Sequence, residues 1–186
     1  LKKNNSKCCK MRLFRVHCVC TNLKKSYLKL YKRSCLLITP KTFKMERWVG
    51  RIALVTGASA GIGASIASTL ASKGMKVVAC ARRLDKLEEM AKQSKNLYPY
   101  QCDMSSTDEI KKMFDWIEGH ADLQKIDVCI CNAGVDLHKS LTNLSPEDMK
   151  QMMNINVISS NYCTQLSVKL MLKHKIDDGQ VIFISR

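Results

Sequence analysis

The sequence predicts an α/β fold in which helices cover both faces of a doubly wound parallel sheet. Three observations predict this fold. From residue 51 onward, apolar runs of strand length alternate with amphipathic helical segments. The strand-length runs are continuously apolar, which is typical of strands buried on both faces of a parallel sheet. The first run leads directly into a glycine-rich turn and then a helix, the order that builds a βαβ unit.

Residues 51–56 are the predicted first strand, because this apolar run has strand length and ends on a glycine cluster. A helix is predicted next, with Ile62, Ile66 and Leu70 at intervals of four residues on its buried face. We expect Gly74 to end this helix as its C′ residue.

Residues 75–81 and 97–102 are the predicted second and third strands. Apolar residues at helical spacing predict a helix between them: Leu84, Leu87, Met90 and Ala91. Ser-Thr-Asp-Glu at 106–109 has the pattern of a capping box, so another helix is expected to begin there. Its predicted buried face contains Ile110, Met113, Phe114 and Ile117.

The last predicted elements are two strands and a long helical stretch. Residues 127–131 form the fourth predicted strand, and Ser-Pro-Glu-Asp at 145–148 caps the helical stretch, which continues to about His174. Asp-Asp-Gly at 177–179 is the expected turn into a fifth strand at 181–185. About five strands are therefore expected, all within residues 45–186.

Residues 1–44 differ from the rest of the chain in charge. They contain 13 Lys and Arg but no Asp or Glu, which leaves 18 basic against 16 acidic residues for 45–186. We interpret them as a basic, non-globular extension upstream of the true start at Met45, which would leave them untranslated. A mitochondrial presequence and a basic arm for nucleic acid or membrane stay open as alternatives. The nearly neutral globular part gives no support for a nucleic-acid partner.

The ten cysteines divide equally between residues 1–44 and 45–186, and the second five lie inside apolar runs. We expect those five to be buried free thiols in a reducing compartment, which favours a cytoplasmic location. The cysteine spacings near the N-terminus do not match a zinc site, so no metal is expected. The longest apolar runs are shorter than the ~18 residues of a membrane-spanning helix, so stable membrane insertion is not expected.

The glycine cluster after the first strand predicts a site for a pyrophosphate. A strand, a glycine-rich loop and a helix in this order present backbone N–H groups and the positive end of the helix dipole to an anion. Gly57 permits the tight turn, Gly61 lets a phosphate approach the backbone, and Gly63 lets the helix pack against the strand. Ser59 adds a hydroxyl donor, and Ile62 belongs to the same candidate site.

Two motifs resemble those of the short-chain dehydrogenase/reductases. They are Thr-Gly-x-x-x-Gly-x-Gly at 56–63 and Cys-Asn-Ala-Gly at 131–134, where the family usually has Asn-Asn-Ala-Gly. The resemblance covers 45–186, and residues 45–48 and 177–179 are similar to the group that includes dehydrogenase/reductase member 11 and insect farnesol dehydrogenases. It implies a Rossmann fold and an oxidoreductase for alcohol or carbonyl groups on small lipophilic substrates. It also implies a homo-oligomer for the full-length family.

The end of the second strand indicates which dinucleotide would bind. An acidic side chain there would accept hydrogen bonds from the ribose 2′-OH of NAD and repel a 2′-phosphate. Here the position is Ala81, and two guanidinium groups follow, Arg82 and Arg83. Guanidinium suits a phosphate in both geometry and charge, so NADP(H) is favoured, with Arg82 as the stronger candidate.

The resemblance implies further site residues. Asp103, directly after the third strand, matches the residue that binds the adenine in the family, although a plain helix-entry aspartate is the alternative. Asn132 matches the residue that stabilises the sheet centre and lines the cofactor, together with Ala133 and Gly134. Asn156 matches the helix asparagine that anchors a proton-relay water.

The resemblance also implies a catalytic serine, a tyrosine acid and a lysine four residues after it. No Tyr-x-x-x-Lys occurs in the 186 residues, and Arg186 rather than Ser185 aligns with the serine. A shift of one residue along a strand turns the side chain to the opposite face. We therefore expect part of a longer enzyme that is inactive by itself, with a non-catalytic NADP-binding protein as the alternative. An incomplete sheet would expose an edge and favour aggregation.

Overall fold

A computed structural model describes residues 15–20 and 45–185. Its centre is one parallel sheet with the strand order β1-β6-β5-β2-β3-β4. The strands are β1 (Arg15–Cys20), β2 (Ile52–Thr56), β3 (Lys76–Ala81), β4 (Leu97–Gln101), β5 (Val128–Cys131) and β6 (Gln180–Ser185).

Helices cover both faces of this sheet. They are α1 (Gly61–Ser72), α2 (Leu84–Ala91), α3 (Thr107–Gly119), α4 (Pro146–Met153) and α5 (Ser160–Lys173), with a π-helical segment at Asn154–Ser159 and 3₁₀ turns at Met45–Trp48 and Leu141–Asn143. Buried residues of α1 and α2 share one core with the sheet, and those of α3 and α5 share the other. The predicted doubly wound α/β fold is confirmed.

Part of the predicted basic extension, Arg15–Cys20, is a strand of the sheet. These residues form a strand that pairs in parallel with β6, from Arg15 opposite Gln180 to Cys20 opposite Ser185. The sheet therefore has six strands where the sequence predicts about five, and β1 covers the edge of β6 that was expected to be exposed. Residues 1–14 and 21–44, also assigned to the non-globular extension, lie outside the described residues.

The first helix packs two of its three predicted face residues against the core. Ile66 and Leu70 are partly buried there, whereas the side chain of Ile62 is 41% exposed. The fully buried residues are Gly63, Ala67 and Ala71, one position further along the chain. Small residues allow α1 to pack closely on the sheet. This close packing also brings Gly63 of α1 against Gly57 in the loop that precedes the helix.

The capping patterns have different outcomes at two helices. Ser145 and Asp148 form the full capping box of α4, in which each side chain accepts a hydrogen bond from the other residue's backbone N–H. At α3 only half of the box forms, because the Ser106 hydroxyl accepts from Glu109 N but the Glu109 carboxylate accepts from Asp103 N instead. Glu109 thereby ties the end of β4 to the start of α3.

Candidate functional site

The strand order places two loops together at the centre of the sheet. β2 lies between β3 and β5, so the chain moves outward from β2 in opposite directions to reach its two neighbours. The loops that follow β2 and β5 meet at this reversal, and such a crevice beyond the carboxyl ends of the strands is where parallel α/β sheets bind ligands. The glycine loop and the Asn-Ala-Gly segment are these two loops.

The glycine loop has the backbone conformation that its sequence predicts. Gly57 and Gly61 have φ values of +68° and +58°, in the left-handed region that glycine adopts without steric cost. A Cβ on Gly57 would lie 2.9 Å from the Ala133 Cα, and a Cβ on Gly63 would overlap the Gly57 carbonyl oxygen and the Asn132 amide nitrogen. Open space lies beside Gly61. The two loops are therefore packed backbone to backbone.

Asn132 joins these two loops by hydrogen bonds. Its side-chain nitrogen donates to the carbonyl oxygens of Thr56 at 3.0 Å and Gly57 at 3.2 Å. The buried Thr56 hydroxyl accepts from the backbone N–H groups of Asn132 and Ala133, both at 3.0 Å, and lies 3.4 Å from the Ile130 carbonyl as donor. Thr56 was not among the predicted site residues, although a hydroxyl that ends a wholly apolar strand is a signal that could have found it.

The N-terminus of α1 is available to an anion. Its N-cap residue, Ala60, makes no side-chain cap hydrogen bond, and the first turn contains no acidic residue. By contrast, α3 and α4 begin with capping serines and with acidic residues in their first turns. The first N–H groups of a helix have no partner within the helix, so a phosphate can take the place of the missing cap. This arrangement fits the pyrophosphate of a dinucleotide.

A cavity of about 420 Å³ lies over these loops and brings together seven of the eleven predicted binding residues: Gly57, Ser59, Arg82, Arg83, Asp103, Ala133 and Gly134. Ala81, Cys102, Met104, Val135 and Ile155 also line it. Gly61, Ile62 and Gly63 form the first turn of α1 beside the cavity, and Asn132 lies under the glycine loop; these four are not part of its lining.

The two arginines at the end of β3 have different environments. Arg83 donates to the Ser59 hydroxyl from Nε at 3.3 Å and from Nη2 at 3.0 Å. Arg82 is exposed, its carbonyl oxygen accepts from the Gln101 side chain, and it also borders a further depression beside Asp103 and Glu109. Both guanidinium groups line the main cavity, but Arg83 is the one that contacts the glycine loop.

Asp103 lies at the far side of the main cavity, and its carboxylate has a local partner. Oδ1 accepts a hydrogen bond from Ser105 N at 2.9 Å, which makes a turn at the start of α3. The helix-entry role that the sequence left open is thus present in the structure. The residue also lines the cavity, so the two roles coexist at one position.

Asn156 holds the segment after β5 from the opposite side. Its Oδ1 accepts from Val135 N at 2.8 Å and its Nδ2 donates to Val135 O at 3.0 Å. Asn156 lies in the π-helical segment and borders a second cavity of about 450 Å³. That cavity is also lined by Cys131, Gly134, Asp136, Met152, Ser160, Phe183 and Ile184.

Neither a metal centre nor a membrane-spanning helix is found in residues 15–20 and 45–185. No group of three or more His, Cys, Asp or Glu in these residues could hold a metal ion. No helix among them is long and apolar enough to cross a membrane.

Comparison with known proteins identifies the family. The model of the family described as short chain dehydrogenase matches residues 51–186. The chain belongs to this family. In this member of the family the glycine loop and the Asn-Ala-Gly segment lie together at the carboxyl edge of the sheet.

Curated short-chain dehydrogenases give a more specific resemblance. Dehydrogenase/reductase SDR family member 11 of Gallus gallus is 44% identical over 147 residues, which are 76% of this chain and 57% of that protein. The Homo sapiens protein of the same name is 41% identical, with 56% of it covered. Farnesol dehydrogenase of Aedes aegypti is 35% identical over 76% of this chain and 59% of its own length. The chain spans less than two thirds of these relatives.

Solved structures of short-chain dehydrogenases share this architecture. A metagenomic short-chain oxidoreductase in complex with NADP matches with a TM-score of 0.68 and 30% identity, over 74% of this chain and 63% of that one. A dehydrogenase/reductase from Mycobacterium marinum matches with a TM-score of 0.66 and 28% identity, covering 74% of this chain and 56% of its own.

Proposed function

We propose that this chain supplies the NADP(H)-binding part of an oxidoreductase that acts on alcohol or carbonyl groups of small lipophilic molecules. The observation that carries the proposal is the uncapped N-terminus of α1 beside a cavity lined by Arg82 and Arg83. The helix end suits the diphosphate, and the guanidinium groups suit one further phosphate. When bound, the nicotinamide cofactor supplies the hydride, while the protein positions it.

The choice of NADP(H) over NAD(H) rests on the end of β3. Ala81 is buried and apolar, so no carboxylate at this position competes for a ribose hydroxyl or repels a phosphate. The contact between Arg83 and Ser59 keeps a guanidinium group over the glycine loop. NADP bound to a structural relative supports the same choice.

The proposed substrate class is supported by the second cavity and by the relatives. Met152, Phe183 and Ile184 give part of its wall an apolar surface, as a lipophilic alcohol or ketone requires. A farnesol dehydrogenase is among the similar proteins. The cavity borders Gly134 and Asn156, so a molecule inside it would lie next to the nucleotide-binding edge.

A second candidate function is nucleotide binding without hydride transfer. The 186 residues contain no Tyr-x-x-x-Lys, the pair that the family resemblance implies for proton transfer. A general acid contributes about 10²–10⁴-fold to such a step, so its absence would leave binding intact and catalysis very slow.

Titration of the 186-residue chain with NADPH and with NADH tests the proposal. Binding can be followed by calorimetry and by nicotinamide fluorescence, and folding by circular dichroism. We expect NADPH to bind about tenfold or more tightly than NADH, the effect of one charge-assisted contact to the extra phosphate. Equal affinities would overturn the assignment of NADP(H), and a folded chain that binds neither would overturn the proposed function. NADPH formation after addition of farnesol with NADP⁺ would exclude the second candidate, whereas nucleotide binding without NADPH formation fits both candidates, because the 186 residues contain no Tyr-x-x-x-Lys.

A further inference from the structure

Two cysteines of β5 form a thiol pair on one face of the sheet. Cys129 and Cys131 are two residues apart, so their side chains point to the same side. Their Sγ atoms are 3.8 Å apart, and Cys131 Sγ also donates to the Ser160 carbonyl at 3.6 Å. Cys131 occupies the position where the family motif usually has asparagine, so this pair is a feature of the present sequence.

The backbone fixes the positions of both sulfur atoms. β5 is paired in parallel with β2 on one side and with β6 on the other. Cys129 is in register with Leu54 and Val181, and Cys131 is in register with Phe183. A ligand that needs two sulfur atoms close together would therefore meet a preorganised pair and would lose little entropy in ordering it.

The second cavity provides access to one member of the pair. Cys131 lines this cavity with 3% of its surface exposed, whereas Cys129 lies behind it and is fully buried. Met152, Phe183 and Ile184 supply an apolar wall against which an aromatic ring can pack. A reagent with a thiol-reactive atom and an aromatic ring can therefore place the reactive atom at Cys131 and pack the ring against this apolar wall.

The electrostatic environment also distinguishes Cys131 from the other buried thiols. The hydrogen bond with Cys129 lowers the pKa of Cys131 below the usual range of a thiol, because the donor stabilises the thiolate. Burial raises the pKa of Cys163, and the hydrogen bond with Cys102 together with burial raises that of Cys80. Since the thiolate is the nucleophile and Cys131 is the one of the pair that lines the cavity, we expect reaction to start at Cys131.

We propose that the thiol pair is a binding site for trivalent arsenic compounds of the aryl arsenoxide class, entered through the second cavity. Cys131 sulfur bonds to arsenic first, and Cys129 sulfur forms the second bond. The arsenic–oxygen bond breaks, the oxygen leaves as water with the two thiol protons, and arsenic stays trivalent. A direct disulfide is a poorer product, because the sulfur atoms would have to approach from 3.8 Å to about 2.05 Å on a rigid strand.

The test uses phenylarsine oxide and the 186-residue chain in which the five cysteines at positions 8, 9, 18, 20 and 35 are replaced by serine. Intact-mass spectrometry counts the adducts, and exchange with a competing dithiol gives the affinity. We expect one bridged adduct, and Cys129→Ala or Cys131→Ala should each weaken binding by about a hundredfold, the loss of one soft thiolate bond. Cys163→Ala, a buried thiol of the same core that is outside the pair, should bind as tightly as the parent.

A second measurement needs no substitution within the core. The arsenical-treated chain is unfolded in urea with iodoacetamide, and peptide mapping then shows which cysteines were protected. Joint protection of Cys129 and Cys131 supports the proposal. Protection of other cysteines, no adduct, or an affinity that loss of Cys129 leaves unchanged would overturn it. These readouts do not depend on nucleotide binding. The arsenical site can therefore be confirmed if the proposed function is wrong, and it can be refuted if the proposed function is right.

Discussion

Arg83 and Ser59 are joined by two hydrogen bonds, from Nε at 3.3 Å and Nη2 at 3.0 Å to the serine hydroxyl. This contact links the end of β3 to the glycine loop. It places one guanidinium group beside the loop, and Arg82, which is also exposed, lines the same cavity. A phosphate between the two guanidinium groups would be attracted by both positive charges and would contact the Ser59 hydroxyl.

Replacement of either arginine should reduce selectivity for NADPH. We expect Arg83→Ala and Arg82→Ala each to weaken NADPH binding by about 10- to 100-fold and NADH binding by less than threefold, since a charge-assisted hydrogen bond contributes about 1.5–3 kcal/mol. Lys86→Ala, which removes an exposed charge of α2, is the matched control. Equal weakening of NADPH and NADH binding in a calorimetric titration would show that the arginines act through folding or through general electrostatic attraction, and not through the extra phosphate.

Gly63→Ala should destabilise the fold and prevent nucleotide binding. The added Cβ would overlap the Gly57 carbonyl and the Asn132 amide, so α1 must move away from β2. We expect a loss of about 1–3 kcal/mol in the free energy of unfolding, measured in urea. Gly119→Ala is the control, because no atom lies within 4 Å of its added Cβ and alanine favours a helix by up to about 1 kcal/mol. A Gly63→Ala chain as stable as the parent would contradict this account of the loop.

The strand, glycine loop and helix of the candidate site could be predicted from sequence because their signals are local. A strand, a glycine cluster and a helix follow one another within residues 51–72, and the periodicity of each is visible in the chain itself. The small residues Ala67 and Ala71 carry too little hydrophobic signal to be recognised, so the sequence predicted the partly buried Ile66 and Leu70 but not the fully buried positions beside them. Small residues are needed at these positions because α1 lies close to β2. That distance is set by tertiary packing, so it cannot be recognised in the local sequence.

The features that the sequence did not predict depend on distant parts of the chain. β1 pairs with β6 across more than 160 residues, and a six-residue run beginning at Arg15 within a lysine-rich segment gives no local sign of that partner. The role of Thr56 depends on the loop after β5, and the contact of Arg83 with Ser59 depends on the twist between two strands. These relationships arise only when the sheet has formed.

The Arg51–Asp178 pair should make stability depend on pH in the acid range. Arg51 Nη1 lies 2.7 Å from Asp178 Oδ1, and this hydrogen bond holds the pKa of Asp178 below its usual range. A depressed pKa in the folded state stabilises fully above the unfolded value of about 3.9 and loses this contribution as the pH falls through the folded value. The Asp178 side chain is 42% exposed, so salt screening keeps the contribution small.

Urea unfolding of Asp178→Asn at several pH values measures this contribution. We expect the variant to unfold at a lower urea midpoint than the parent at pH 7, and the difference to shrink below about pH 4 as the parent's carboxylate becomes protonated. Asp85→Asn, at an exposed position of α2, is the control for loss of one negative charge. A difference that stays constant from pH 7 to pH 3 would show that protonation of Asp178 is not linked to folding.

Removal of β1 should expose the edge of β6 and promote aggregation. A chain that begins at Met11 keeps Arg15–Cys20, whereas a chain that begins at Met45 loses it. An unpaired edge presents N–H and C=O groups to other chains, so we expect the shorter chain to form larger particles at equal concentration in light scattering. If both chains are equally monodisperse, β1 does not protect the edge.

The two truncated chains also differ in residues 21–44, so the edge itself needs a separate test in the longer chain. Val16→Pro and Val19→Pro are suited to this, because proline cannot donate to a strand ladder. In a strand with one hydrogen-bonded neighbour, alternate residues direct their N–H groups toward it. Val16 and Val19 are three positions apart, so the backbone N–H of one points toward β6 and that of the other points away. Proline at the first position removes a hydrogen bond to β6, whereas proline at the second has much less effect on the pairing. Aggregation in only one of the two variants would assign the effect to pairing with β6, since both lose the same side chain.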